Sequence, residues 1–118
     1  MKYIWSTIRV KNYEESINFY TKFLELDVIN TIETEEGIKI AFLSDGTSKI
    51  EILYDNTKGD IEVSKDISLG FGVESLDDII NDLNNKNIEY IGPIQPNPNT
   101  RFIFIKDPNG IRIQLVEH

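Results

Sequence analysis

The chain has 118 residues, of which 40% are hydrophobic and 27% are charged, and its formal charge is −8. This size and composition indicate one folded domain with a modest core rather than a disordered segment. The acidic balance argues against a nucleic-acid partner, because binding to phosphates needs a basic face.

The chain contains no cysteine, which excludes disulfides, thiolate nucleophiles and sulfur metal ligands. No apolar run approaches the ~18 residues that a membrane-spanning helix needs, and no charged-then-apolar leader opens the sequence. We therefore expect a cytoplasmic protein with no membrane partner.

The first half of the chain predicts one helix among four strands. Alternation of side chains predicts strands over residues 2–10, 27–33, 38–42 and 49–54. Asn12 lies three residues before Glu15, which is the spacing of a capping box at a helix start. The helix that follows carries an apolar stripe formed by Tyr13, Ile17, Tyr20 and Leu24.

The second half repeats this order after a polar stretch without periodicity. Strands are predicted over residues 67–73, 88–91, 101–105 and 111–116, and residues 92–100, with three prolines, are predicted to form a loop. Ser75 and Asp78 have the spacing of a helix start. The stripe of this helix consists of Leu76, Ile79, Ile80 and Leu83.

The order strand, helix, strand, strand, strand therefore occurs twice. We predict module one over residues 1–55, a linker over 56–65 and module two over 66–118. The last strand is entered through a tight turn at Asp107-Pro108-Asn109-Gly110, because proline presets φ and Asn-Gly tolerates positive φ.

Four stretches of the chain resemble the vicinal-oxygen-chelate superfamily of glyoxalases, bleomycin-resistance proteins and extradiol dioxygenases. They are residues 8–10, residues 15–26 with SINFYTKFLEL, residues 50–52, and residues 107–117 with DPNGIRIQLVE. The resemblance implies an α+β fold in which two βαβββ modules form an open eight-stranded mixed-sheet cup with the helices outside. Residues 1–118 would then be a single domain.

Catalytic members of this family bind one divalent metal in the cup, with ligands from the first and last strand of each module. The resemblance places these positions on Trp5 and Glu51 in module one, and on Ser68 and Gln114 in module two. Indole nitrogen only donates, and serine and glutamine are neutral, so Glu51 is the only good ligand. We predict no catalytic metal and no cofactor. The single histidine, His118, lies outside the motif.

Six residues are predicted to bind a ligand. Trp5 offers an aromatic face for stacking, or it fills the space that a metal would take. Arg9 matches the position that holds an anionic end of the substrate in glyoxalases, or it forms a surface ion pair. Glu51 and Gln114 orient a ligand through hydrogen bonds, or they bond each other across the sheet. Thr7 and Ser68 complete the set.

Small residues on the first strand of module two leave the cup floor open, or they ease the curvature of the sheet. These residues are Ser68, Gly70 and Gly72.

These features favour a metal-free, small-molecule binding protein of the bleomycin-resistance type that sequesters a drug or a metabolite. Analogy with the family suggests a homodimer. The alternative is a glyoxalase-like lyase or isomerase in which Glu51 is a general base, with or without a metal, so whether the chain is an enzyme stays open. A third possibility is a protein-binding module without a pocket. The net charge favours a cationic ligand, whereas Arg9 favours an acidic one.

Overall fold

Eight strands form two four-stranded mixed sheets in the computed structural model, which describes residues 1–118. The chain divides into two compact units, Met1–Glu62 and Val63–His118, and the division falls inside the predicted linker. The elements in chain order are β1 (Ser6–Arg9), α1 (Tyr13–Asn18), β2 (Asp27–Glu33), β3 (Ile38–Ser44), β4 (Lys49–Asp55), β5 (Ser68–Gly72), α2 (Leu76–Asn85), β6 (Ile91–Asn97), β7 (Thr100–Lys106) and β8 (Arg112–Glu117). The predicted α+β class with two βαβββ modules is confirmed.

In the first unit the strand order is β1-β4-β3-β2, and β1 runs parallel to β4 while the other pairs are antiparallel. Alternate residues of the central strands are buried on one face, among them Ala41, Leu43 and Ile52, each fully buried. Removal from water stabilises the fold by about 1.5–3 kcal/mol for each large side chain such as Leu43 or Ile52, and by less for the Ala41 methyl. The strand predicted over residues 2–10 is shorter than expected, since its pairing with β4 begins at Ser6 and ends at Arg9.

The helix of this unit begins where the sequence indicates. The Oδ1 atom of Asn12 accepts a hydrogen bond from the Glu15 backbone N–H at 2.9 Å, which satisfies one free donor of the first turn. The expectation of a regular helix through Leu24 is wrong, because a π-helical segment, Phe19–Phe23, follows α1. In this wider turn Phe19 stacks on Phe23 at 5.6 Å.

In the second unit the strand order is β5-β8-β7-β6, and β5 runs parallel to β8. The buried face of this sheet is formed by Ile103, Ile105, Ile113 and Leu115, and Leu76 and Leu83 of α2 are fully buried. The predicted helical stripe therefore supplies the core of this unit. Neither helix of the chain is long and apolar enough to span a membrane.

The loop predicted over residues 92–100 is wrong, because β6 continues from Ile91 to Asn97 through two of its three prolines. Strand β6 lies at the edge of its sheet, where a residue without an N–H is tolerated on the unpaired side. Its register shifts twice, between Ile91 and Ile94 and between Ile94 and Asn97. Gly92 has φ of +114°, and a Cβ there would lie 3.0 Å from the carbonyl oxygen of Phe102, so glycine is required.

The predicted turn before β8 is confirmed and is internally bonded. The Oδ1 atom of Asp107 accepts hydrogen bonds from the backbone N–H groups of Asn109 and Ile111, both at 2.8 Å. The side-chain amide of Asn109 donates to Oδ2 of Asp107 at 3.0 Å. Asp107 and Asn109 are both buried, and Gly110 has φ of +94°. The buried carboxylate is thus matched by donors of its own turn.

The start of α2 is fastened to β8 by a cluster of charged side chains. Ser75 caps the helix by accepting from the Asp78 N–H at 3.2 Å, and Glu117 accepts from the Leu76 N–H at 3.0 Å. Arg101 donates to Glu117 at 3.1 Å and to Asp77 at 3.3 Å. The hydrogen bond from Leu76, followed by that from Arg101, lowers the pKa of the Glu117 carboxyl below its ordinary value.

We expect this cluster to make the unfolding free energy depend on pH. A carboxyl whose pKa is lowered in the folded state stabilises the fold above its unfolded pKa, and this contribution is lost as pH falls through the folded pKa. Stability should therefore fall from about pH 4.5 downward, and Glu117→Gln should make the fall shallower. Urea unfolding between pH of about 6 and about 3 measures the effect.

The matched control is Glu62→Gln, which neutralises an exposed carboxylate outside the cluster. Asp45, whose pKa is lowered by the N–H groups of Ser48 and Thr47, and Asp55, whose pKa is lowered by Thr57, keep a residual acid dependence in both variants. Equal pH slopes for Glu117→Gln and Glu62→Gln would contradict the assignment.

Candidate functional site

The open face of the first sheet carries the predicted residues of module one in one row. Strand register places Thr7 opposite Glu51 on one side, and Phe42 opposite Glu51 on the other. These residues lie on the face opposite to Ile52 and Leu43, because successive side chains of a strand point to opposite faces. Parallel pairing of β1 with β4 thus brings together two residues 44 positions apart in sequence.

The carboxylate of Glu51 is held by a direct hydrogen bond. The Oγ1 hydroxyl of Thr7 donates to Oε1 of Glu51 at 2.5 Å, the short distance typical of a hydroxyl on a charged acceptor. Glu51 is half-buried, so its carboxylate is fixed in orientation while part of it faces solvent. A fixed carboxylate at the surface can accept a hydrogen bond from a ligand or pair with a cation.

An aromatic pair lies beside this carboxylate. The indole of Trp5 packs edge-on against Phe42 with ring centroids 5.0 Å apart and planes inclined at 70°. Trp5 remains 37% exposed, so part of its surface is open to a partner. Sequence reasoning missed Phe42 as a site residue, because alternation along β3 indicates which of its side chains share a face but not which residue of β4 lies opposite.

Arg9 lies on the same face and is engaged with the chain itself. Its Nη1 and Nη2 groups donate to the carbonyl oxygens of Gly59 at 2.9 Å and Asp60 at 2.8 Å. Arg9 thus fastens the segment after β4, and its hydrogen-bond partners are backbone carbonyls rather than the carboxylate of a surface ion pair. An anionic ligand at Arg9 would have to share a guanidinium that already makes two hydrogen bonds.

The second sheet carries an equivalent row of residues on its own open face. Gln114 lies opposite Gly70 on one side and opposite Phe104 on the other. A Cβ at Gly70 would meet only the Oε1 atom of Gln114, at 3.9 Å, and this glycine has no positive φ. Neither crowding nor backbone conformation therefore requires glycine at this position. Ser68, two residues before Gly70, lies opposite Arg112.

The two units repeat one design. The row Thr7, Glu51, Phe42 in the first sheet corresponds to the row Gly70, Gln114, Phe104 in the second. Trp5 and Ser68 each precede their row by two residues. Glu51 and Gln114 lie on different sheets, so they are not cross-strand neighbours within one sheet.

The donor set does not suit the divalent metal that catalytic members of the family hold. Trp5 offers no lone pair, Ser68 and Gln114 are neutral, and the Glu51 carboxylate already accepts from Thr7. The chain has no group of three or more His, Cys, Asp or Glu side chains arranged to hold a metal ion. We therefore derive no chemical step through a metal.

Comparison with known proteins identifies the fold. The sequence profile of the Glyoxalase/Bleomycin resistance protein/Dioxygenase superfamily matches residues 3–115. No curated protein sequence matches significantly.

Several solved structures are similar to this chain. The trypanothione-dependent glyoxalase I of Leishmania major is similar with a TM-score of 0.83 and 21% identity, over 99% of this chain and 86% of that one. A fosfomycin resistance protein of Listeria monocytogenes, solved with Mn(II) and sulfate, is similar with a TM-score of 0.77 and 16% identity, over 99% and 92%. An antibiotic binding protein of a Streptomyces species is similar with a TM-score of 0.70 and 16% identity, over 99% and 96%. At these identities the likeness shows the fold alone.

Proposed function

The chain belongs to the Glyoxalase/Bleomycin resistance protein/Dioxygenase superfamily, and we propose that it binds a small molecule without the family's metal. The observation that carries the proposal is the open face of the first sheet, where a part-exposed Trp5 lies beside a Glu51 carboxylate held by Thr7. A planar body can stack on the indole while a donor of the same ligand bonds the carboxylate.

We further propose that Arg9, Ser68 and Gln114 contribute to binding. Ser68 and Gln114 offer neutral hydrogen-bonding groups on the second sheet, next to the uncrowded Gly70. We propose that the bound molecule is a drug or metabolite that the chain sequesters, since an antibiotic binding protein is built on the same fold. A cytoplasmic location stays a prediction.

Binding at Trp5 has a direct optical readout, because the chain contains one tryptophan. We expect a thermal-shift screen of antibiotics, beginning with bleomycin and fosfomycin, to yield a stabilising ligand that quenches Trp5 emission. Glu51→Gln should weaken this ligand roughly tenfold, since it removes the charge from one hydrogen bond. The control Glu36→Gln neutralises an exposed carboxylate of the turn before β3. Equal affinities of the two variants, or a stabilising ligand that leaves Trp5 emission unchanged, would contradict the proposal.

The fixed Glu51 carboxylate also supports a second candidate, a glyoxalase-like lyase or isomerase with Glu51 as general base. Proton abstraction next to a carbonyl creates an enolate that needs a stabilising cation. Basic residues on the face of Glu51 include Arg9, whose guanidinium already donates to two backbone carbonyls, and the exposed Lys49, two residues before Glu51 on β4. The engagement of Arg9 favours binding over catalysis.

We expect no turnover of the hemithioacetal of methylglyoxal and glutathione, whether Zn, Ni, Mn or Fe is supplied. Elemental analysis of the purified protein should find none of these metals in stoichiometric amount. Turnover that Glu51→Gln abolishes in a folded protein would establish the enzyme instead.

We also propose that the chain forms a homodimer in solution. Strand β2 is exposed along its whole length at the edge of the first sheet and presents Val28, Ile29 and Ile32 at 45%, 51% and 45% exposure. Register places Val28 on the face of Leu43 and Ile32 on the face of Ile40, so exposed apolar side chains flank this unpaired edge on both faces. Such an edge is a usual protein contact surface.

Light scattering should therefore give twice the 13.6 kDa mass of the chain. Ile32→Asp should shift the protein toward monomer, because a carboxylate would be buried in the contact. Thr47→Asp, at an exposed residue of the loop before β4, is the control. A monomeric mass for the unaltered protein would overturn the proposal.

A further inference from the structure

A cleft lies within the unit Val63–His118 and contains none of the six predicted ligand residues. It has a volume of about 730 Å³ and is bordered by the end of α2, the segment that follows it, and the adjoining ends of β6, β7 and β8. Its apolar lining includes Ile88, Tyr90, Ile91 and Phe104. This volume is in the range of cavities that hold small organic ligands.

Two cations lie side by side in the cleft. Lys106, the last residue of β7, is the register partner of Arg112, the first residue of β8. The Arg112 guanidinium lies over the Phe104 ring, 4.7 Å from its centroid. Like charges directly opposite on neighbouring strands are unfavourable. The chain has 20 acidic and 12 basic side chains, so carboxylates that could pair with these two cations are in excess.

No carboxylate neutralises this pair. The salt bridges of the chain join Lys86 to Asp82, and Arg101 to Asp77 and Glu117, and neither Lys106 nor Arg112 takes part in one. Glu89 is the one acidic side chain of the cleft lining, and it forms no salt bridge with either cation. The donors of Lys106 and Arg112 are thus available to an anion.

The turn between the two strands fixes the backbone positions from which Lys106 and Arg112 project. It begins at Asp107, directly after Lys106, and its buried Asp107 carboxylate accepts from Asn109 and Ile111, the residue directly before Arg112. Because the turn is bonded internally and buried, the spacing of the two strand ends is fixed before a ligand arrives. Such preorganisation reduces the ordering cost of binding.

We propose that this cleft binds an organic acid with an aromatic or branched apolar body. The carboxylate lies between Lys106 and Arg112, whose planar guanidinium matches it, and the body packs on Phe104, Tyr90 and Ile91. The cleft shares no residue with the Trp5 and Glu51 face. It borders the second-sheet face of Ser68 and Gln114, because Arg112 lies opposite Ser68 and Phe104 lies opposite Gln114.

Three probes with one ring system and different charge test the proposal. We expect naphthoate to bind roughly three- to tenfold more tightly than naphthylmethanol, and naphthylmethylamine to bind more weakly than both. Affinities are measured by calorimetry, and the site is located by backbone amide shifts of Tyr90, Ile91, Phe104 and Arg112. Added salt should reduce the preference for naphthoate, because it screens exposed charges.

Variants that each remove one charge test which residues cause the preference for naphthoate. Arg112→Gln and Lys106→Gln should each remove most of it while naphthylmethanol still binds, which shows that the cleft remains folded. Glu89→Gln should strengthen naphthoate binding, since it removes a like charge. Lys65→Gln is the matched control, because Lys65 is an exposed cation of the same unit outside the cleft.

Equal affinities of the three probes, a preference for the amine, no binding at all, or naphthoate binding that Arg112→Gln leaves unchanged would each overturn the inference. Naphthoate binding that depends on Trp5 and not on Arg112 would overturn it while leaving the proposed function standing. If Arg112→Gln abolishes naphthoate binding and Trp5→Phe does not change it, the inference is supported even if no ligand of the Trp5 face is found.

Discussion

The structure depends on one pairing that is made twice, the parallel contact of the first strand of each unit with the last. Parallel neighbours cannot be joined by a short hairpin, so the chain returns through a long crossover, which here consists of a helix and two further strands. This pairing places Thr7 beside Glu51 in one sheet and Gly70 beside Gln114 in the other. Without this pairing, residues that are far apart in sequence would not be neighbours on one face.

Much of the fold could be predicted from the sequence because its signals are local. The caps at Asn12 and Ser75, the stripe of α2 and the turn at Asp107 each arise from residues within one or two turns of chain. The strand through Pro93 and Pro96 could not be predicted, since tolerance of proline depends on β6 lying at a sheet edge, which is a tertiary property. The π-helical segment after α1 likewise has no signature in side-chain spacing.

The candidate site, like the fold, could be predicted from the sequence only in part. The family resemblance supplied the positions of Trp5, Glu51, Ser68 and Gln114, and alternation supplied the faces of their strands. Strand register, which no single strand contains, was needed to find Phe42 next to Glu51 and Phe104 next to Gln114. The partners of Arg9 were also inaccessible, because they are backbone carbonyls of a segment without periodicity.

Strands β2 and β6, each at one edge of its own sheet, differ in how they meet a foreign chain. Pro93 and Pro96 remove two amide donors from the edge of the second sheet, whereas Asp27–Glu33 contains no proline. A strand that tries to extend the second sheet finds gaps in the hydrogen-bond ladder, and amyloid-like growth at that border is therefore disfavoured. The β2 edge of the first sheet has no such backbone protection and offers an unbroken row of amide donors and acceptors as a template.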